Sequence, residues 1–333
     1  MSPCRFCFPK GQRSEGPVTT TQQLLDQRRE IARRIDRAVG EHPDVTAVYV
    51  LGSVATGHVD ERSDVDISVV CRPSVLPQDT RRELLSQIGT DWQIGASWSN
   101  DPIWKGNAMP TDGDEGVVEE VTVGLIYQSA STLSRVVEQV INEGAITTEE
   151  IPFRPYTLVG MLRQSWLLRD RDGLFKGWLE QTETYPHLLK LNVLHHFVPV
   201  LQENAEAVKE CAERRLGASA YIFFLTRACD AMESILYALN EIYDPADKRA
   251  ERTILPTLAN VPRDFMARYT HVVEGPFDQV GALERARVFE DLTADVLRMA
   301  GEVARDLATS HGTRPPVETQ SGRFRASEGS ENT

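Results

Sequence analysis

The stretch that most constrains this chain is YVLGSVATGHVDERSDVDISVV, residues 49–70: an apolar run, a Gly-Ser pair, a polar spacer, and a second apolar run that opens on two aspartates one residue apart. Side chains in a strand alternate between faces, so Val65, Ile67 and Val69 share one side while Asp64, Asp66 and Ser68 share the other. The apolar side must lie against a core, which leaves the polar side open to a ligand. Two carboxylates about 7 Å apart on one face raise each other's pKa unless a cation offsets their repulsion. Magnesium takes hard oxygen ligands and is usually held by one or two carboxylates plus substrate phosphates, so the pattern points to Mg²⁺ on Asp64 and Asp66.

A two-metal site wants a third carboxylate from a neighbouring strand. The run GVVEEVTVGLIYQ, 116–128, reads as that strand, and its Val118, Glu120, Thr122 and Gly124 form a small, polar parity like that of Asp64 and Asp66. Glu120 is the expected third ligand, with Glu119 as the alternative. Gly52 lacks a Cβ and lets the backbone approach a phosphate. Ser53, at the start of an expected helix, offers its hydroxyl and backbone N–H to the same anion.

Around this stretch, TTTQQLLDQRREIARRIDRAV predicts an amphipathic helix with a threonine cap, VTAVYVL a strand, PQDTRRELLSQI a helix, and SASTLSRVVEQVINEG a helix closed by glycine. From about Tyr156 the periodicity is helical in five segments: YTLVGMLRQSWLLRD, the run from His187, the run from Ser219, RDFMARYTHVV, and the run from Leu283. The expected organisation is a polar, disordered tail at 1–17, an α/β (α+β) domain with a mixed sheet at 18–150, an all-α helical bundle at 151–308, and a second disordered tail at 309–333. His195 and His196, in an apolar helix, read as core histidines, and Trp92, Trp98 and Trp104 read first as core aromatics, with an aromatic wall for a planar ligand as the alternative.

Charge narrows the partners. Forty-nine acidic against thirty-six basic side chains give −13, which repels a phosphate backbone and disfavours nucleic acid; a small, cationic substrate suits the field. There is no long uncharged apolar stretch and the start lacks a signal-peptide pattern, so neither membrane nor export is indicated and the expected location is cytoplasmic. Five cysteines do not form a disulfide framework. Cys4 and Cys7 have zinc-type spacing but no second pair follows them.

Leu51, Gly52, Ser53, followed by Asp64, Val65, Asp66 within a strand, resembles the signature of the DNA polymerase β-type nucleotidyltransferase superfamily, and the segment is most similar to its small bacterial members, which include antibiotic-modifying and antitoxin-type proteins. The resemblance implies transfer of a nucleoside monophosphate, AMP foremost, from ATP or another nucleoside triphosphate to a hydroxyl of a small molecule such as an aminoglycoside or lincosamide, with pyrophosphate leaving and one or two Mg²⁺ ions as cofactors. It implies Asp64, Asp66 and Glu120 as catalytic metal ligands, Glu120 also as a base, and Gly52, Ser53, Ser63 and Lys248 as the nucleotide-binding set, with Lys248 in ALNEIYDPADKR reaching the phosphates. Thr56 stands where many minimal members carry arginine. Modification of a protein partner and a non-catalytic nucleotide-binding scaffold are the alternatives. The chain's long helical half counts against the first, and its carboxylates, retained despite their repulsion, count against the second.

Overall fold

The computed structural model describes residues 20–89, 91–95, 113–151, 153–276 and 278–310. Cys4, Cys7, Trp98 and Trp104, and the two expected tails apart from residues 309 and 310, lie outside them. The described residues form two compact units: one runs to Asn192 and takes in Glu241–Thr257, and the other comprises Val193–Asn240 and the residues from Leu258 onward. A boundary at 150 therefore does not match the chain's division, because 151–192 and the Lys248 loop pack with the first unit.

In the first unit, α1 (Thr21–Val39) opens on a capping box, with the Thr20 side chain accepting from the Gln23 N–H and the Gln23 side chain accepting from the Thr20 N–H. Leu25, Ile31, Ile35 and Val39 recur at helical spacing and are buried. They join a core with Val65, Ile67, Val69, Val123 and Leu125, the apolar parity of two central strands. Its further elements include β1 (Val45–Leu51), α2 (Gly52–Thr56), β2 (Val65–Cys71), α3 (Gln78–Leu85), β3 (Trp92–Ile94), β4 (Gly113–Val118), β5 (Val121–Ser129), α4 (Ala130–Glu138), α5 (Pro155–Gln164), β6 (Trp166–Asp170) and α6 (Leu174–Gln181). Among the described residues the strands form one mixed sheet in the order β3-β4-β5-β2-β1-β6, with β2 and β5 parallel and the other neighbours antiparallel.

The sequence reading misplaced two elements of this sheet. The single strand expected at 116–128 is the hairpin β4–β5, in which Val118 pairs with Val121 and Glu119-Glu120 form the two-residue turn. Both glutamates have positive φ, 51° and 66°, the backbone of a type I′ turn that usually carries Asn-Gly. Hydrophobic alternation could not show a reversal written in glutamate. The second correction is β6, read as the end of a helix: Ser165 turns extended, and Trp166–Asp170 covers the free edge of β1. Arg169 fixes it to α1 by pairing with Asp36 at 2.8 Å.

In the second unit, α8 (Ala218–Leu239), α10 (Phe265–Glu274) and α11 (Gln279–Ser310) bury Leu225, Met232, Phe265, Tyr269, Phe289 and Leu292. Arg285 is fully buried there, its Nε donating to the Val272 carbonyl at 2.6 Å. The helix α7 (His187–Glu213) forms where expected, but His195 and His196 are exposed and not core residues, the His196 ring lying edge-on to buried Phe197 with centroids 4.7 Å apart. Lys248 follows α8 and precedes α9 (Ala250–Thr253).

Candidate active site

The antiparallel register pairs Leu51 with Asp66, so the Gly-Ser turn begins beside the second aspartate. Gly52 has φ +64°, and a Cβ there would stand 3.3 Å from Asp66 Oδ2, so glycine is needed both for backbone freedom and for room. No side chain caps the first turn of α2. The two ends of the pattern meet at a cleft of about 480 Å³ whose walls include Gly52, Ser53, Ser63, Asp64, Asp66 and Lys248.

Asp66 is the electrostatic centre of this cleft. Its carboxyl is pushed up to about 6, first by burial and then by the negative charge of Asp64, while Lys248 opposes the shift. The polar face does not stay open beyond it. Ser68 is fully buried and donates to Gln128 Oε1 at 2.7 Å, a carbonyl oxygen that also accepts from the Tyr49 hydroxyl at 3.0 Å. The Tyr49 ring lies 5.0 Å from that of Phe175 on α6, so part of the face expected to be open is packed, and only its Asp66 end meets the cleft.

Two loops position the remaining groups. The spacer between α2 and β2 is held from below by buried Arg28, whose guanidinium donates to the carbonyls of Ser63 (2.7 Å), Glu61 (3.2 Å) and Leu24 (3.2 Å). The Lys248 loop is set against α5 by a close backbone approach: a Cβ on Gly160 would fall 1.9 Å from the Asp244 carbonyl oxygen. The Thr157 hydroxyl donates to Asp244 Oδ2 at 2.9 Å, and Tyr243 stacks on Tyr185 with ring centroids 4.8 Å apart. Three independent contacts thus hold the segment that brings Lys248 to Asp66, about 180 residues away in sequence.

Residues 33–96 match the family model of polymerase beta nucleotidyltransferases. That match takes in the Gly52-Ser53 turn and the Asp64–Asp66 strand and supports a polymerase β-type nucleotidyltransferase superfamily. No curated protein matches the chain. Among solved structures it is similar to a nucleotidyltransferase-like protein from Exiguobacterium sibiricum 255-15, at 12% identity and a TM-score of 0.41 over 84% of this chain and 79% of that one. The match to residues 33–96 supports a transferase, and the mixed sheet followed by helices is consistent with that family's domain joined to a helical region. None of the described helices is long and apolar enough to cross a membrane.

The fold brings together six of the residues that the sequence singles out: Gly52, Ser53, Ser63, Asp64, Asp66 and Lys248 all line one cleft. The Ser63 hydroxyl is committed within its own loop, accepting from the Asp60 N–H at 2.9 Å and bonding Asp60 Oδ1 at 3.1 Å. Thr56 donates to the Gly52 carbonyl at 3.3 Å and also lines the cleft. Glu120 does not. It sits in the hairpin turn, and its neighbour Glu119 is paired with Arg34 of α1. Asp66 pairs across the sheet with Gly124, and Gly124 with Glu115, so the carboxylate that register places on the Asp66 row belongs to β4, one strand further out. Among the described residues no trio of His, Cys, Asp or Glu is gathered as a metal cage. The donor set that does fit a divalent cation is the Asp64–Asp66 pair: burial of Asp66 and the negative charge of Asp64 disfavour the Asp66 carboxylate, and Lys248 offsets them only in part.

Sequence reasoning missed Asp60, Arg62, Met161, Gln164 and Arg249, which also line the cleft. Arg249 stands next to Lys248 and could have been taken with it. Met161 and Gln164 on α5 carry no local signal, since only packing turns them toward the cleft. A larger cavity of about 640 Å³, lined by Ile146, Ile151, Phe153 and Arg154, shares Ala246 with this one but holds neither aspartate of the Asp-x-Asp pair.

Proposed function

We propose that the enzyme transfers a nucleoside monophosphate, AMP in the favoured case, from a nucleoside triphosphate to a hydroxyl of a small acceptor such as an aminoglycoside or lincosamide, with Mg²⁺ and with release of pyrophosphate. The observation that carries this reading is the environment of Asp66: a half-buried carboxylate raised to about 6 beside Asp64, facing Lys248, in a cleft entered by the Gly52-Ser53 turn. Asp64 and Asp66 would hold Mg²⁺, which when bound supplies charge neutralisation of the phosphates and lowers the pKa of the acceptor hydroxyl. Lys248 brings a compact ammonium to the phosphate side of the cleft. The bare Cα of Gly52 allows the chain to come close to the anion, and Ser53 offers a hydroxyl and a backbone N–H to it. The chain's charge of −13 favours encounter with a cationic acceptor over a nucleic acid.

The test is pyrophosphate release with ATP, CTP, GTP and UTP and Mg²⁺, across aminoglycosides, lincosamides and protein candidates, run beside Asp66→Asn. Release that depends on one acceptor class and is lost in the variant supports the reading and names the acceptor. Metal-dependent triphosphate binding without release under any acceptor overturns the transfer reaction proposed here.

A further inference from the structure

The mouth of the cleft carries a second cation that this reaction leaves without a task. Arg249 Nη2 lies 3.3 Å from Asp60 Oδ2, and both residues line the cleft. Asp60 belongs to the spacer loop and Arg249 to the Lys248 loop, so the pair bridges two walls. The side chains are 37% and 63% exposed, and an ion pair that open to water holds its partners only weakly.

Neither loop depends on the pair. Asp60 Oδ1 accepts from the Arg62 N–H at 2.9 Å and from the Ser63 hydroxyl at 3.1 Å, and these two bonds come before Arg249 in holding the Asp60 carboxyl below its usual range. The Arg249 backbone is fixed by its own N–H to Asp247 Oδ1 at 2.8 Å, and by its carbonyl, which accepts from the Thr253 N–H at 3.0 Å. The guanidinium is thus a planar, permanently charged fork on an anchored base, resting on an easily exchanged carboxylate. Phosphate oxygens match that fork in geometry and exceed the carboxylate in charge.

We infer that Arg249 is a second phosphate-binding residue beside Lys248, parked on Asp60 until a nucleoside triphosphate takes the guanidinium over; this rests on the proposed function of the cleft. The exchange gives the two partners opposite signs. Loss of Arg249 removes a phosphate contact, whereas loss of the Asp60 charge removes the competitor. Asn at position 60 keeps the Oδ1 acceptor that orders the loop, so the substitution isolates the competition.

The experiment is calorimetric binding of each of the four nucleoside triphosphates with Mg²⁺, and of the matching nucleosides, to the full chain and to Arg249→Ala, Arg249→Lys, Asp60→Asn and the Asp60→Asn/Arg249→Ala double variant. Arg249→Ala should weaken triphosphate binding by about tenfold or more, leave nucleoside binding unchanged, and be only partly corrected in Arg249→Lys. Asp60→Asn should tighten triphosphate binding by up to about fivefold, and that gain should vanish when Arg249 is alanine. Triphosphate affinity equal to wild type in both Arg249 variants overturns the inference while leaving the proposed function standing. A gain from Asp60→Asn that persists in the double variant overturns it too, since Asp60 would then act by its charge alone. A wild-type protein that binds none of the triphosphates overturns the proposed function, and the inference with it.

Discussion

Asp66→Asn should stabilise the metal-free protein while abolishing transfer. The Asp66 carboxyl rises from an ordinary 3.8 to about 6 in the fold, driven by burial and by Asp64. At ~1.4 kcal/mol per pH unit, that difference of about two pH units means the charged form costs the native state about 3 kcal/mol. The sign follows from the direction of the shift. The folded chain holds its proton more tightly than the unfolded one, so this group does not oppose folding below about pH 4, and stability is lost progressively as pH rises towards 6 and stays lost above it. Asparagine carries no charge and does not incur that cost. Thermal unfolding in a chelator should therefore show Asp66→Asn melting ~5 °C above wild type at pH 8, with the gap closing as pH falls through the 6-to-4 window. Added Mg²⁺ should raise the wild-type melting temperature and not the variant's. Equal melting temperatures at pH 8, or a less stable variant, would refute the view of Asp66 as an uncompensated charge awaiting a cation.

Two further perturbations test other parts of the structure. Glu120→Gly places glycine at a turn position with φ 66°, so stability should hold or rise by up to about 1 kcal/mol in urea denaturation, with acceptor-dependent pyrophosphate release unchanged; a collapse of release would return Glu120 to the catalytic set. Gly160→Ala drives a Cβ into the Asp244 carbonyl and should cost about 1–3 kcal/mol while raising KM for the triphosphate, because the displaced loop carries Lys248; an unchanged KM would show that the loop does not position that lysine.

The first aspartate strand, the Gly-Ser turn, α1 and the long helices were legible because each is specified by contiguous residues: alternation for a strand, helical spacing for a helix, a missing Cβ where the backbone turns. The same local grammar identified Asp64 and Asp66 as a charge problem requiring a cation. It failed where the deciding partner is remote. Glu119-Glu120 lie inside an apolar, β-branched run, and only the pairing of Val118 with Val121 makes them a turn. Trp166–Asp170 continue a helical pattern, and only the free edge of β1 makes them a strand. Ser68 looked open until Gln128 and Phe175 were folded over that face. The sequence by itself determined that two repelling carboxylates follow a glycine turn on one face of a strand, because spacing alone dictates it. The tertiary structure alone decided which cations share the cleft with them, because Lys248 and Arg249 reach it on a loop set against α5 by a close backbone approach at Gly160 that no local pattern encodes.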